Sequence, residues 1–121
     1  TIRTDIQRNV MYIEQQGQPT ASDFLDLKRE FLDHSHRMAV GFSIVNDQRE
    51  MQPYDDDAMA VAAELVEITN QLGVARVIRI VPVDFLSTVR VSSTLVTGKS
   101  RYVSIRVASP EEAEEALDAL G

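Results

Sequence analysis

Three consecutive carboxylates, Asp55-Asp56-Asp57, open a long stretch of helical apolar periodicity, and a polar segment from Asn46 to Tyr54 leads into them. Carboxylate oxygens can bind a hard cation such as Mg²⁺. Fixed negative charge can also imitate a phosphorylated acceptor and hold a protein partner. Asp47, Arg49 and Glu50, just upstream, have the residue types of an acid–base set. Spacing argues against the cation. Successive helical residues diverge by about 100°, so three in a row rarely converge on one ion. The plainer reading is that the trio caps a helix and complements its positive end. Either way, a phosphate at this helix start would be repelled. A second cluster, Asp33, His34 and His36, has the chemistry of a metal site or a pH switch. It lacks a third spaced ligand, and the chain has no cysteine, so it reads as a solvated helix end. There is no Gly-rich phosphate loop and no dinucleotide fingerprint. Both histidines lie far along the chain from the Asp47–Glu50 set. No metal and no cofactor is expected, and nothing argues for an enzyme.

The bulk numbers agree with a single domain spanning 1–121. Of 121 residues, 44% are apolar, enough for one core. Twelve basic and 19 acidic residues give a net charge of −7. That sign disfavours nucleic acid and anionic lipid as partners. No apolar run reaches the roughly 20 residues that span a bilayer. A cytoplasmic protein is the expectation.

The elements that must position these residues follow from periodicity and punctuation. Ile2–Ile6 and Val10–Gln15 read as a hairpin, with Asn9 suited to positive φ in its turn. Thr20 and Asp23 form a capping box ahead of a helix carrying Phe24, Leu27 and Phe31. Met38–Val45 reads as a buried strand, Asn46–Tyr54 as a loop, and Asp55–Leu72 as a helix with Ala58, Val61, Ala62, Leu65, Ile68 and Leu72 on one stripe. Gly73 is placed to end that helix. Ala75–Pro82, rich in β-branched residues, reads as a central strand. Phe85–Thr97 fits a helix whose apolar surface, with Phe85 and Val89 on one face, exceeds what one buried stripe needs. Tyr102–Val107 alternates like an edge strand, and Ser109-Pro110-Glu111-Glu112 opens a last helix.

The order of elements, Gly17-Gln18-Pro19-Thr20 before the first helix, the strand–loop–helix from Val40 to Leu72, and Ser109-Pro110-Glu111-Glu112-Ala113 near the end together resemble the STAS fold of the anti-sigma-factor antagonists, the SpoIIAA-like type. The resemblance implies an α/β domain with a mixed five-stranded sheet and four helices in the order ββαβαβαβα. In those antagonists a phosphoacceptor serine lies at the loop and helix start after a central strand. Here no serine or threonine occurs between Asn46 and Met59. The comparison is therefore with an uncharacterised SpoIIAA-like branch, without that phosphorelay.

The functional expectation is a non-catalytic regulatory or protein-binding module, working as a homodimer. Asp47, Arg49, Tyr54, Asp55, Asp56 and Asp57 form its contact surface, with Phe85 and Val89 on the exposed side of the 85–97 segment. The alternative is a small-molecule or lipid carrier using an apolar groove near residues 85–97.

Overall fold

A computed structural model describes residues 1–82 and 102–120. Its strands are β1 (Ile2–Asp5), β2 (Val10–Gly17), β3 (Ser43–Met51), β4 (Arg76–Ile80) and β5 (Val103–Val107). Its helices are α1 (Ala21–Ser35), α2 (Asp56–Gln71) and α3 (Pro110–Leu120). The strands form one mixed sheet in the order β1-β2-β3-β4-β5. β1 pairs antiparallel with β2, and β2 through β5 run parallel. Asn9 takes φ 57° in the hairpin turn, as its side chain allows.

The sheet is covered on both faces. On one, Met11, Ile13, Ile44 and Val77 meet Phe31 and Leu27 of α1 and Ile68 of α2. On the other, Val10, Val45, Ile78 and Ile80 meet Ala113 and Leu117 of α3. Because successive strand residues point to opposite faces and both faces are covered, β4 is buried at every position but its first, Arg79 included. The expected caps are present. The Thr20 hydroxyl accepts from the Asp23 amide at 3.1 Å, and the Asp23 carboxylate accepts from the Thr20 amide at 2.9 Å. Ser109 Oγ accepts from the Glu112 amide at 3.2 Å, while the Glu112 carboxylate reaches the Ala108 amide. Gly73, at φ 74°, terminates α2.

Two expectations change. The central strand is 43–51, not 38–45, so most of the expected polar loop is strand. Residues 38–42 instead bend into the sheet. Asn9 clamps both the amide and the carbonyl of Ala39, and Gly41 turns at φ 86° with its amide on the Gly73 carbonyl at 2.9 Å. Polarity misled because β3 outruns β4. Beyond Asp47 it pairs with β2 alone, up to Gly17 opposite Met51. Ladder hydrogen bonds rather than apolar side chains hold that end. Secondly, three helices occur among the described residues, in the order ββαβαββα, rather than four. The expected fourth, at 85–97, lies outside the described residues.

Candidate functional site

Most of the acidic trio is spent on structure. Asp55 is the N-cap of α2, and its Oδ1 accepts from the Ala58 amide at 2.9 Å. Asp56 and Asp57 occupy the exposed first turn. Among the described residues no group of three or more metal-ligating side chains converges, here or at Asp33, His34 and His36. Asp47 and Arg49 bind each other. Arg49 Nε and Nη2 donate to Asp47 Oδ1 and Oδ2 at 3.0 and 2.7 Å. The Arg49 hydrogen bonds hold the Asp47 carboxyl below its ordinary range, so it stays ionised and is a poor proton donor. Phe85 and Val89 lie outside the described residues.

Tyr54 leads elsewhere. Its ring meets Phe24 edge-on at 5.1 Å, across the start of α2 and the first turns of α1. Burial raises its phenol above the ordinary value, against a weaker opposing effect from Arg79. Behind it, between the sheet and helices α1 and α2, lies a cavity of about 100 Å³.

Cross-strand register builds the floor of this cleft. Met11, Ile44 and Val77 form a dry row across the sheet, since Met11 pairs with Ile44 and Ile44 with Val77. Two residues further along, the same face carries Ile13, Asn46 and Arg79, again paired in register. The rim adds Gln15 and Gln48, with Gln48 Nε2 donating to Gln15 Oε1 at 3.1 Å. Phe24, Leu65 and Val66 supply apolar wall.

Two groups in this cleft are short of partners. Arg79 is only 9% exposed. Its Nη1 donates to Ser104 Oγ at 2.6 Å, yet no described carboxylate lies within ion-pair distance. Asn46 Oδ1 is fully buried and accepts no hydrogen bond. A buried cation and a buried bare acceptor are each costly. They stand on neighbouring strands, about 5 Å apart at the backbone. Among the described residues lining the cleft there is no carboxylate and no histidine, and the Thr69 hydroxyl is spent on the Leu65 carbonyl.

Sequence reading missed Arg79 and Asn46. A usable signal existed. Arg79 interrupts Val77-Ile78-Arg79-Ile80, where a strand covered on both faces leaves a cation unsolvated. Asn46 follows Ile44 on the same face, marking where that face turns polar.

The opposite face at the same edge holds a wider depression of about 350 Å³, lined by Arg3, Tyr12, Glu14, Asp47, Arg49 and Glu114 among others. Its charges largely satisfy one another. Arg8 Nη2 donates to Glu114 Oε2 at 2.7 Å, Tyr12 donates to Glu114 Oε1 at 2.8 Å, and the Arg3 guanidinium sits 3.9 Å over the Tyr12 ring. The Arg8 hydrogen bond lowers the Glu114 carboxyl. Among the described residues, no helix is long and apolar enough to cross a membrane.

Neither a family profile nor a curated protein matches the chain. Among solved structures, an uncharacterised protein of the DUF3478 family from Shewanella loihica PV-4, with a SpoIIAA-like fold, is similar at TM-score 0.76. The match covers 97% of this chain and 90% of that one at 13% identity. The chain thus has the SpoIIAA-like fold that its element order suggested.

Proposed function

We propose that this SpoIIAA-like chain is a non-catalytic binding module that holds a small polar molecule in the cleft between its sheet and helices α1 and α2. One observation carries the reading: Arg79 lies buried in a cavity that supplies it no counter-ion among the described residues. A buried cation without a described counter-ion is a cost to folding. A bound molecule with complementary charge would satisfy it. The cleft opens where β3 and β4 end, the usual ligand edge of a parallel sheet. Its described lining has no acid–base pair and no activated nucleophile, which favours binding over turnover.

A regulatory role has its own support. Tyr54 forms part of the cleft and immediately precedes Asp55, so occupancy would bear on the position of the α2 start. Asp56 and Asp57 are exposed there without a described ion-pair partner, and they offer a contact surface for a basic protein segment.

The test is a screen of metabolite-sized compounds by amide chemical shifts on the full chain. Binders are expected to perturb residues 44–48, 65–69 and 77–79, and to lose that effect in Arg79→Met. If no compound perturbs the cleft, the module reading of this site fails.

A further inference from the structure

We propose that the molecule taken by this cleft is a short hydroxy-carboxylate, its carboxylate on Arg79 and its hydroxyl donating to Asn46 Oδ1; this rests on the cleft being a ligand site at all. The class follows from what each group lacks. A guanidinium carries five N–H donors in a planar fork that matches a carboxylate edge. Ser104 Oγ takes up Nη1, leaving donors for an oxyanion. Asn46 Oδ1 can only accept, and nothing donates to it. A ligand meeting both needs therefore has an anionic end and a donor end. Asn46 and Arg79 are direct cross-strand partners on one face of the sheet, and both line the same cavity, so one small molecule can meet both.

Charge and size narrow the class further. Among the described residues lining the cleft Arg79 is the only cation, with Arg106 beside it in register on β5, so a single carboxylate suffices to pair the guanidinium that faces the cavity. The acidic start of α2, next to Tyr54, adds repulsion against a second negative charge. A cavity of about 100 Å³ admits a few waters or one small molecule, and not a lipid chain. Phe24, Leu65 and Val66 suit a short alkyl tail.

The experiment titrates the full ¹⁵N-labelled chain with 2-hydroxybutyrate, butyrate, 1,2-butanediol and inorganic phosphate at constant ionic strength. It follows the Asn46 side-chain amide and the Arg79 Nε–H. The hydroxy acid is expected to bind about tenfold more tightly than butyrate, the low end of what satisfying a buried orphan acceptor gives. The diol is expected to leave both signals unmoved. Arg79→Met, checked as folded by its own spectrum, with Arg79→Gln as a second variant, is expected to abolish binding of both acids. Asn46→Ala is expected to bring the two acids within about twofold of each other. Equal affinity of the two acids, tighter binding of phosphate, or acid binding that survives both Arg79 variants would overturn the assignment. Diol binding without acid binding would also overturn it, while leaving a small-molecule site in place. If no probe moves either signal, this inference falls, while the proposed function stands or falls with the wider compound screen.

Discussion

The two faces of the sheet carry polar groups at the same edge, and they treat them oppositely. On the α3 face, Arg8, Tyr12 and Glu114 interlock, Arg49 forks onto Asp47, and Arg3 lies over Tyr12. Charge there is abundant, partly solvated and mutually paired. On the α1/α2 face, among the described residues, a buried guanidinium is held by one hydroxyl, beside an amide oxygen that accepts nothing. The number of charges is a poor guide to a site. What distinguishes the second face is unmet hydrogen-bonding demand in a low dielectric, where each missing partner costs most.

The largest expected effect comes from supplying the missing anion. Asn46→Asp puts a carboxylate beside Arg79 in register and should reduce hydroxy-acid affinity more than tenfold. Arg79 would hold that carboxyl below its ordinary value, so its contribution to stability is present above the unfolded pKa and lost as pH falls through the folded one. Melting curves of wild type and variant between pH 3 and 7 should therefore diverge toward neutral pH (range chosen to bracket the usual carboxylate pKa of about 3.9). Next, Arg79→Met should raise unfolding free energy by about 1–3 kcal/mol, since it removes an unpaired buried charge at similar side-chain length. Chemical denaturation measures this. A destabilisation of that size would mean that Arg79 is structural, and the contrast between the faces would collapse.

Smaller effects sharpen the other side. Asp55→Ala should cost about 1 kcal/mol through loss of the α2 cap, whereas the double change Asp56→Asn, Asp57→Asn should alter stability much less and weaken any contact with a basic partner. Denaturation and a pull-down with a lysine-rich peptide separate the two roles. Smallest of all, Glu114→Gln should give a barely measurable Tm change near neutral pH, because solvent screens an exposed pair. Its carboxyl is lowered by the Arg8 hydrogen bond. Wild type should therefore lose this small contribution only as pH falls through the folded value, and the variant's acid limb should be slightly flatter.

Legibility from sequence varied with the range of the interaction. The Thr20–Asp23 box, the Ser109 cap, Asn9 at positive φ and Gly73 at the end of α2 are decided within a few residues, and each could be read directly. The start of β3 could not. Its register is set by β2 and β4, distant in the chain, and by the Asn9 clamp on Ala39. The Asp47–Arg49 pair and the Asp55 cap were noticed as residues, yet their chemistry is local and structural. Arg79 and Asn46 escaped attention because the breaks they make in apolar strands do not reveal that the two residues are neighbours. Their significance comes from lying side by side under two helices.

By itself, the sequence determined the α/β class, the alternation of strands and helices over the described residues, the helix caps, and the lack of any serine or threonine between Asn46 and Met59, because these depend on periodicity, short-range hydrogen bonds and residue identity. Tertiary structure decided which polar residues are satisfied. Pairing β3 with β4 in parallel brought Asn46 against Arg79, and packing α1 and α2 over them removed the water that would otherwise have solvated both. Partner satisfaction is a property of position in space, and a chain written in one dimension does not carry it.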